Sequence, residues 1–485
     1  MPPKSTLITF FLPKLDTALF CILFFSILLF GPRMLNIDGD LGRHITIGNY
    51  ILQHLEIPLH DLFSHTMTGE LVIPHEWLAQ VTFSFVNTWL GLNGVVLLTA
   101  IIIAGTFTLT YREMLRQNVY RSLALILTFL AAYASSLHWL TRPHIFTFLF
   151  TALWAYLLEN ERRKFWVFPL IMLLWVNTHG AFIAGFVILG GHVAGWLWDY
   201  MHKQATWDRL KKLALIGGLS FAVTLINPVG WKLWDLSVGY LGNRYLVDHT
   251  VEYQSPNFHD PSTWPFLLLM VLGILALGLG GRMRAHQAIL FAGWGAMSLY
   301  SARNIPLFAI VTTPYIGRAA QAVLEESSLY QKIENKIARL ESGLNGSLIP
   351  PVIFILLVAA FPPFPRAANQ FDANIFPVKA VDWLQTHPQN GEMFNQFTWG
   401  GYLLYRMWPE KNVFIDGQTD FYGESLTREY SQVVNLENGW QDTLKKYNVS
   451  WAIIPPHGPL ARALSEEMKW NVVYQDNTAA ILHKP

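Results

Sequence analysis

Long apolar segments dominate the first 363 residues of the chain. A helix needs about 20 mostly apolar residues to cross the hydrocarbon core of a membrane. The apolar pattern predicts about eleven such helices, at 16–33, 94–112, 121–138, 143–160, 164–178, 181–199, 209–226, 264–281, 286–301, 303–317 and 347–363. We therefore predict a polytopic α-helical membrane protein.

The segment 76–92 is a further candidate span, in which apolar residues alternate with polar ones. The charge distribution decides how it lies, because Lys and Arg collect in cytoplasmic loops. The basic loops of the chain all fall on the cytoplasmic side only if 76–92 does not cross. We therefore expect this segment to be a helix on the outer surface of the membrane, within an outer loop at 34–93 that carries surface helices.

A different pattern begins after residue 363, where the apolar spans give way to short strand and helix patterns. Helices are predicted at 378–384, 399–407, 439–447 and 460–468, and strands at 392–395, 413–416 and 450–455, followed by a hairpin of 471–475 and 479–483. Such alternation is typical of a compact α/β domain. We therefore predict a transmembrane domain at 1–363 and a small extracytoplasmic α/β domain at 364–485.

The composition supports a membrane protein and excludes several other classes. Of the 485 residues, 52% are hydrophobic and only 14% are charged, against about 25% charged residues in a soluble protein. The net charge of +1 provides no positive field for nucleic acid, so we expect no nucleic-acid partner. A single cysteine, Cys21, excludes an internal disulfide and a thiolate metal cluster.

Charged side chains are concentrated after the first span and again before the surface helix. They are Asp38, Asp40, Arg43, His44, His75 and Glu76. Ionisable residues held at the membrane usually mark a site, although Asp40 could simply cap a helix and Glu76 could simply face a helix N-terminus. The carboxylates of Asp38, Asp40 and Glu76 could bind a divalent cation such as Mg²⁺ or Mn²⁺, or one of them could act as a general base. The sequence leaves both chemical interpretations open.

Cationic and imidazole side chains recur at the outer ends of later spans. They are Arg142, His144, His179 and Arg303. Each alone could be an interfacial anchor, but beside carboxylates they suit a ligand that carries a phosphate, because arginine pairs with phosphate oxygens. Weaker candidates for contact with an acceptor lie in the 227–263 loop and in the tail, where turn formation explains many of them equally well: Glu252, Gln254, His259, Asp260, Asp416 and Asp420.

Taken together, these motifs resemble the integral-membrane glycosyltransferases of the GT-C fold, which include protein O-mannosyltransferases, aminoarabinose transferases and oligosaccharyltransferases, and more closely a set of uncharacterised bacterial members. The resemblance covers essentially the whole chain. The residues that carry it are Asp38-Gly39-Asp40-Leu41 with His44, His75-Glu76-Trp77-Leu78, Arg142-Pro143, Trp175-Val176-Asn177 with His179-Gly180, Asn227-Pro228 with Gly230, Tyr253-Gln254-Ser255-Pro256, Arg303-Asn304, and Phe414-Ile415-Asp416-Gly417 with Thr419-Asp420.

The resemblance implies a catalytic or metal-binding acidic residue in the first outer loop, a position that Asp38 and Asp40 match. It also implies a sugar donor linked to polyprenyl phosphate. We hypothesise that Asp38 or Asp40 deprotonates a hydroxyl of a glycan, lipid or protein acceptor, which then attacks the anomeric carbon of the sugar with inversion. We expect a multi-pass protein of the inner (plasma) membrane, surrounded by membrane lipids, with the reaction on its outer face. The chain departs from the pattern of close members at Gly42-Arg43, where those members carry aromatic residues.

Two other function classes remain as alternatives. A transporter or flippase for a lipid-linked saccharide would place ionisable residues in the middle of its spans. In this sequence they lie mainly at the outer ends, which favours the enzyme. A non-catalytic membrane scaffold that binds glycan through its tail would have a closed first loop, with no cavity that joins Asp38 to the lipid.

Overall fold

The computed structural model describes residues 12–160, 164–344, 346, 352 and 369–485. Its N-terminal part is helical because most of its segments are apolar on every side. The helices are α1 (Leu15–Leu29), α2 (Gly31–Asn36), α3 (Asp40–His54), α4 (Trp77–Arg116), α5 (Arg121–Ser135), α6 (His144–Leu158), α7 (Val167–Val176), α8 (Ile183–Met201), α9 (Trp207–Val223), α10 (Lys232–Gly242), α11 (Arg244–His249), α12 (Trp264–Gly278), α13 (Ala285–Tyr300), α14 (Ile305–Leu324) and α15 (Ser328–Ser342).

The predicted spans coincide with these helices. The first ten fall on α1, the second part of α4, α5 to α9, and α12 to α14. The last, 347–363, lies outside the described residues apart from residue 352. By length and composition, the described helical stretches Trp77–Arg116, Gly180–Met201, Pro261–Gly278 and Ala302–Leu324 can each cross a membrane, and three shorter helices are similarly apolar. The prediction of a polytopic helical membrane protein is confirmed.

The segment 76–92 forms the first part of α4, and a break separates it from the span that follows. Gly91 has φ of +63° and ψ of −166° inside the 40-residue helix. Glycine adopts this conformation without the steric penalty that a side chain would bring. The break at Gly91 allows the segment before it and the span 94–112 to run in different directions. That the first segment lies along the membrane surface stays a prediction.

Helix α14 is the centre of the bundle. Its residues from Ile305 to Gly317 are all buried, and it packs against α4, α5, α6, α12 and α13. A helix that is apolar all round and buried on every side fits the middle of a helical bundle. Packing around α14 therefore holds the ends of helices that are distant in sequence close to one another.

The C-terminal domain, residues 369–485, is a small α/β unit. Its elements are α16 (Val378–Thr386), β1 (Glu392–Asn395), α17 (Gly400–Met407), α18 (Thr419–Val434), α19 (Trp440–Lys446), β2 (Val449–Ile454), α20 (Pro459–Arg462) with a π-helical turn at Ala463–Glu467, β3 (Asn471–Gln475) and β4 (Ala480–His483). The sheet has the order β1-β2-β4-β3, in which β1 and β2 are parallel and the other pairs antiparallel. The predicted α/β domain is confirmed, and its predicted start at 364 falls outside the described residues.

One strand prediction in this domain is wrong, and one helix was missed. The segment 413–416 is not a strand of the sheet, because Val413 forms only an isolated bridge with Ser64. Its backbone is bound instead by the side chain of Asn395, which accepts from Phe414 N at 2.8 Å and donates to Ile415 O at 2.8 Å. A short apolar run does not reveal whether its backbone partners will be strands or side chains.

Helix α18 was not predicted. It buries Tyr422, Leu426, Tyr430 and Val433, and this spacing of about four residues is the helical signal that the sequence contained. Many polar residues separate these four, and Gly423 interrupts the helix with a φ of +68°. These features obscured the pattern.

Glycine contacts bring the C-terminal domain against the first loop. A side chain at Gly42 on α3 would collide with the carbonyl oxygen of Gly401 on α17, and one at Gly401 would collide with the carbonyl oxygen of Gly39. Beside this contact, Ile47 and Ile51 of α3 belong to the same apolar core as α17. The close approach explains why Gly42 is small, and it sets residues 416–420 beside the start of α3.

Candidate active site

Several chain segments meet at the end of the bundle that faces the C-terminal domain. Thr141 N donates a hydrogen bond of 3.3 Å to Met34 O, which joins the start of α6 to α2. His138 Nε2 donates to Ala302 O at 3.0 Å. Ser301 Oγ donates to the backbone carbonyl of Glu252 at 3.2 Å. These contacts place the first loop, the start of α6, the 227–263 loop and the turn before α14 next to one another.

Arg142 lies among three carboxylates in what we call the Arg142 cluster (Asp38, Asp40, Arg142 and Glu252). Its Nη1 lies 3.3 Å from the Asp38 carboxylate and donates a hydrogen bond of 3.0 Å to Glu252 Oε1. Its Nη2 donates to Asp40 Oδ2. The contacts with Asp40 and Glu252 span 102 and 110 residues of sequence. The expected meeting of the two aspartates with a cation from a distant span is therefore present in the structure.

The two aspartates have different surroundings. The side chain of Asp38 is 25% exposed, whereas that of Asp40 is 8% exposed. Asp40 begins α3 but does not cap it: the N-cap position is Gly39, and Asp38 Oδ1 accepts a hydrogen bond of 3.1 Å from Asp40 N. A side chain at Gly417 would collide with the Asp40 carboxylate. Asp38 is therefore the more accessible of the two aspartates to a substrate.

Burial and charge separate the pKa values of these carboxyl groups. Burial raises the pKa of Asp38 to about 6, although Arg142 opposes the shift. Burial acts in the same direction on Glu252, but Arg142 and Arg303 overcome it and hold the pKa of that carboxyl at about 2. Near neutral pH, Glu252 stays ionised, while Asp38 is close enough to its pKa to accept and release a proton.

A second charged group, which we call the Glu76 cluster, consists of Arg43, His44, His75, Glu76 and His179. The Glu76 carboxylate lies 3.7 to 3.9 Å from a nitrogen of each other member. Arg43 Nε and His44 Nδ1 are buried, and neither has a hydrogen-bond partner within the described ranges. An unpaired buried polar group costs about 1–3 kcal/mol. These two atoms therefore mark a place where a ligand can bind.

The tautomer of His179 follows from its neighbours. Its Nδ1 accepts from Ala181 N at 3.2 Å and faces Thr147 Oγ1 at 3.0 Å. Nε2 must therefore carry the proton of the neutral ring, and it lies 3.8 Å from Glu76 Oε1. The turn between α7 and α8 thus presents a donor to Glu76.

Arg303 and His144 lie beside the Arg142 cluster and have other partners. Arg303 Nη1 donates a hydrogen bond of 2.6 Å to Tyr253 OH, and the guanidinium lies 5.0 Å from the centre of the Tyr253 ring. No carboxylate of the described residues forms an ion pair with Arg303. His144 Nε2 donates to the backbone carbonyl of His138 at 2.7 Å. The positive charge of Arg303 is therefore not paired with a contacting carboxylate.

The C-terminal domain contributes to the Glu76 cluster. Arg43 Nη1 donates to Gln418 Oε1 at 3.0 Å, and Arg43 Nε lies 3.7 Å from Asp416 Oδ1. His75 Nδ1 lies 3.8 Å from Asp420 Oδ2. Burial raises the pKa of Asp416 to about 6, against the opposing charge of Arg43. The tail residues Asp416 and Asp420 thus join residues of the first loop.

A small cavity of about 30 Å³, room for roughly one or two water molecules, lies between the first loop and the C-terminal domain. Its polar lining includes Arg43, His75, Glu76, Asp416 and Gln418. The apolar part of its wall includes Phe421 and Tyr422. The cavity therefore adjoins the Glu76 cluster, and a polar group within it would meet both cationic and acidic side chains.

Three predicted residues of the 227–263 loop do not reach these clusters by any described contact. Gln254 Nε2 donates to Asp248 O at 2.8 Å. Asp260 Oδ1 accepts from Ser262 N at 2.9 Å and so closes a turn. His259 is exposed. Glu252, which the sequence also suggested as an acceptor contact in this loop, does join the Arg142 cluster.

Two residues at the site were not among the sequence candidates. Gln418 binds Arg43, and Tyr253 binds Arg303. Both stand next to charged candidates in the sequence, since Gln418 follows Asp416 by two residues and Tyr253 follows Glu252. Proximity in sequence was the available signal, although it does not reveal which neighbouring side chain points inward.

The carboxylates considered as cation ligands do not form a ligand set. Asp38 and Asp40 both face Arg142, whereas Glu76 lies in the other cluster. Within the described ranges, the group whose ligand atoms all lie within 4.8 Å of one another is elsewhere and includes none of these three. Because Arg142 occupies the position between the two aspartates, the arrangement is that of an ion-pair network and does not fit a bound cation.

Comparison with known proteins gives matches in structure alone. No family model matches the chain, and no curated protein matches it in sequence. The apo oligosaccharyltransferase of Archaeoglobus fulgidus superposes with a TM-score of 0.60 at 13% identity, over 90% of this chain and 69% of that chain. ArnT from Cupriavidus metallidurans, bound to undecaprenyl phosphate, gives a TM-score of 0.50 at 12% identity, over 96% of this chain and 97% of that chain.

These similarities extend over nearly the whole chain, and both structures have the GT-C fold. At such low identity they establish the fold and leave the activity to be argued from the site. The order of elements, from α1 and the long first loop through the bundle to the C-terminal α/β domain, agrees with the expectation from the sequence motifs. The chain is therefore a polytopic membrane protein with the GT-C fold.

Proposed function

We propose that this protein is a membrane glycosyltransferase that moves a sugar from a polyprenyl-phosphate-linked donor to an acceptor on the outer face of the inner membrane. The observation that carries the proposal is the Arg142 cluster, in which an arginine and an accessible carboxylate meet at one end of a GT-C bundle. The complex of ArnT with undecaprenyl phosphate supports a polyprenyl phosphate as the carrier. The basic residues at the opposite ends of the helices support the sidedness.

Asp38 is the proposed general base. It deprotonates the acceptor hydroxyl, whose oxygen attacks the anomeric carbon of the sugar from the face opposite the phosphate. The new bond joins the acceptor oxygen to the anomeric carbon, while the bond from that carbon to the phosphate oxygen breaks and its electron pair leaves with the lipid phosphate. The proton remains on Asp38, whose pKa of about 6 suits this role near neutral pH. Arg142, held by Asp40, positions the base.

Arg303 is the proposed phosphate ligand. Its described hydrogen-bond partner is the neutral hydroxyl of Tyr253, so its charge is available to an anion. A guanidinium donates two parallel hydrogen bonds to phosphate oxygens and stabilises the charge that develops on the leaving group. The reaction as proposed uses arginines for this purpose and includes no cation, because the carboxylates of the site do not fit one.

The cavity beside the Glu76 cluster is the proposed place for one hydroxyl group of the acceptor, because at about 30 Å³ it does not hold a whole sugar. Arg43, whose Nε has no hydrogen-bond partner in the described part of the chain, lines this cavity, and Asp416 and Gln418 provide acceptors from the C-terminal domain. Donors and acceptors in one small polar cavity suit a hydroxyl group, which can both donate and accept hydrogen bonds. The C-terminal domain would then determine which acceptor the enzyme uses.

The test is transfer from labelled polyprenyl-phosphate hexoses and pentoses by the purified protein in lipid vesicles. Asp38→Asn should lower kcat at least about 100-fold, the lower limit of what a general base contributes, and Asp40→Asn should also lower it because Arg142 loses a partner. Asp260→Asn, at an exposed aspartate outside the clusters, is the matched control and should retain activity. Wild-type rates in both cluster variants would contradict the proposal.

A further inference from the structure

A second buried group of chemically reactive side chains lies away from the candidate active site. It consists of Glu159, His192 and His286, which we call the Glu159 group. Glu159 directly follows α6, His192 lies within α8 and His286 lies in the first turn of α13. The side chains of Glu159 and His286 are 3% and 1% exposed, and His192 is buried as well. Three helices that are distant in sequence thus bring two imidazoles and a carboxylate together.

The Glu159 group lies at the far end of α6 from Arg142. Arg142 precedes α6, and Glu159 follows it. With a rise of about 1.5 Å per residue, a helix of this length separates its ends by roughly 22 Å. Arg116, the last residue of α4, donates from Nη1 to the backbone carbonyl of Glu159 at 3.2 Å. The group therefore has no part in the reaction proposed above.

The contacts within the Glu159 group are incomplete. His286 Nε2 donates to Glu159 Oε1 at 2.8 Å, and Arg284 Nη1 lies 3.7 Å from the other carboxylate oxygen. The His192 ring stacks on the His286 ring with centres 4.3 Å apart. His192 Nε2, however, is buried without a hydrogen-bond partner in the described part of the chain. A buried nitrogen without a partner, on a side chain that belongs to a group of ligating residues, points to a bound species.

We propose that Glu159, His192 and His286 bind one zinc ion. The three ligand atoms lie within 4.8 Å of one another, whereas ligand atoms of a tetrahedral zinc site lie about 3.3 Å apart when each is about 2.0–2.1 Å from the metal. Zinc binding would therefore require side-chain rotations that shorten these separations by up to roughly 1.5 Å. Zinc replaces the proton between His286 and Glu159, and this proton is released. Zinc also coordinates the ring nitrogen of His192 that has no hydrogen-bond partner in the described part of the chain. Two imidazoles and one carboxylate form a donor set suited to a first-row divalent metal.

The surroundings of the Glu159 group are rigid enough to hold such a site. A side chain at Gly195, one turn after His192, would collide with the backbone of His286, so α8 and α13 are in direct contact there. The Tyr315 ring of α14 packs edge-on against His286 at 6.4 Å. Arg284 Nη1 lies 3.7 Å from the second oxygen of Glu159, near enough to act as an outer-shell partner of a ligating carboxylate. The metal would clamp α6, α8 and α13 together.

The test uses the full chain without a histidine tag, purified in detergent, stripped with EDTA and titrated with Zn²⁺ and Co²⁺. The wild-type protein should bind one zinc ion per chain by elemental analysis and should melt at a higher temperature with zinc. With Co²⁺ it should show the visible absorption of a low-symmetry nitrogen and oxygen site. His192→Gln and Glu159→Gln should each weaken binding by more than about 100-fold, the upper end of what loss of an outer-shell partner costs.

His202→Gln is the matched control, because His202 is exposed, directly follows α8 and has its described hydrogen bond to Trp198 O, within its own turn. It should bind zinc as the wild type does. Equal binding by the wild type and His192→Gln would overturn the proposal, and so would equal loss in His202→Gln. The cobalt spectrum of the wild type decides independently if a variant fails to fold, since a spectrum identical to aqueous Co²⁺ would leave the Glu159 group as a simple ion pair.

Discussion

Replacement of Arg142 by methionine removes the positive charge that the three carboxylates of the Arg142 cluster share. In the proposed reaction Asp38 acts as a base and must be deprotonated. Activity, measured as kcat/KM, should therefore rise with pH through the pKa of Asp38 and level off above it. With Arg142 in place, that pKa is about 6. The acid limb of the wild-type profile is therefore expected at about pH 6.

The size of the change follows from the contact. Arg142 Nη1 lies 3.3 Å from the Asp38 carboxylate, and two unit charges at this distance interact by about 5 kcal/mol at an effective dielectric constant of about 20. Only part of this interaction acts on Asp38, because Asp40 and Glu252 share the guanidinium. An arginine neighbour typically lowers the pKa of an aspartate by about 1–3 units. Arg142→Met should therefore move the acid limb upward by at least about 1 unit, to about pH 7 or above.

The assay is sugar transfer across pH 5 to 9 at low substrate concentration, read as the position of the acid limb relative to the plateau of each variant. Arg142→Lys keeps the charge and should leave the limb near its wild-type position, which separates loss of charge from loss of shape. Asp260→Asn should not move the limb. An acid limb that stays in place in Arg142→Met, or moves to lower pH, would refute the assignment of Asp38 as a base beside Arg142.

Two further predictions concern packing and the phosphate. In thermal unfolding experiments, Gly42→Val should lower the free energy of unfolding by about 1–3 kcal/mol, because its side chain would meet the Gly401 carbonyl oxygen. The control is Gly105→Ala, which has open space around it and should be neutral or stabilising. Arg303→Met should weaken binding of undecaprenyl phosphate at least about tenfold, as expected for a charge-assisted hydrogen bond, in native mass spectrometry. Arg244→Met, at an exposed arginine paired with its own helix, should bind normally, and unchanged binding in Arg303→Met would remove its phosphate role.

The sequence was most informative about the membrane-spanning helices. A span such as 303–317 is recognisable because lipid and a buried bundle both require an apolar surface all round, whatever the neighbouring helices are. The same reasoning was weaker in the C-terminal domain. There, 413–416 looked like a strand but has its backbone bound by the side chain of Asn395, and α18 was hidden by its polar residues. Such outcomes depend on tertiary partners that local pattern does not contain.

The candidate site shows the same difference between what the local sequence predicts and what tertiary contacts decide. The sequence indicated Asp38, Asp40 and Arg142 as candidates, since charged residues at the ends of spans are costly unless they have partners. It did not indicate that one arginine would contact both aspartates, nor that Glu252 would complete the group. It also left a cation open as a use for Asp38, Asp40 and Glu76, which lie in two separate clusters in the structure.

The sequence by itself determined that the chain is a bundle of apolar helices with charged groups near their ends and an α/β tail, because the free energy of apolar transfer depends on each segment alone. Only the tertiary structure decided which charges meet. Asp40 reaches Arg142 across 102 residues, and Arg43 reaches Gln418 across 375. Such pairs form because packing around α14 and the contact of Gly42 with Gly401 bring distant segments together, and Coulomb and hydrogen-bond energies depend on those distances.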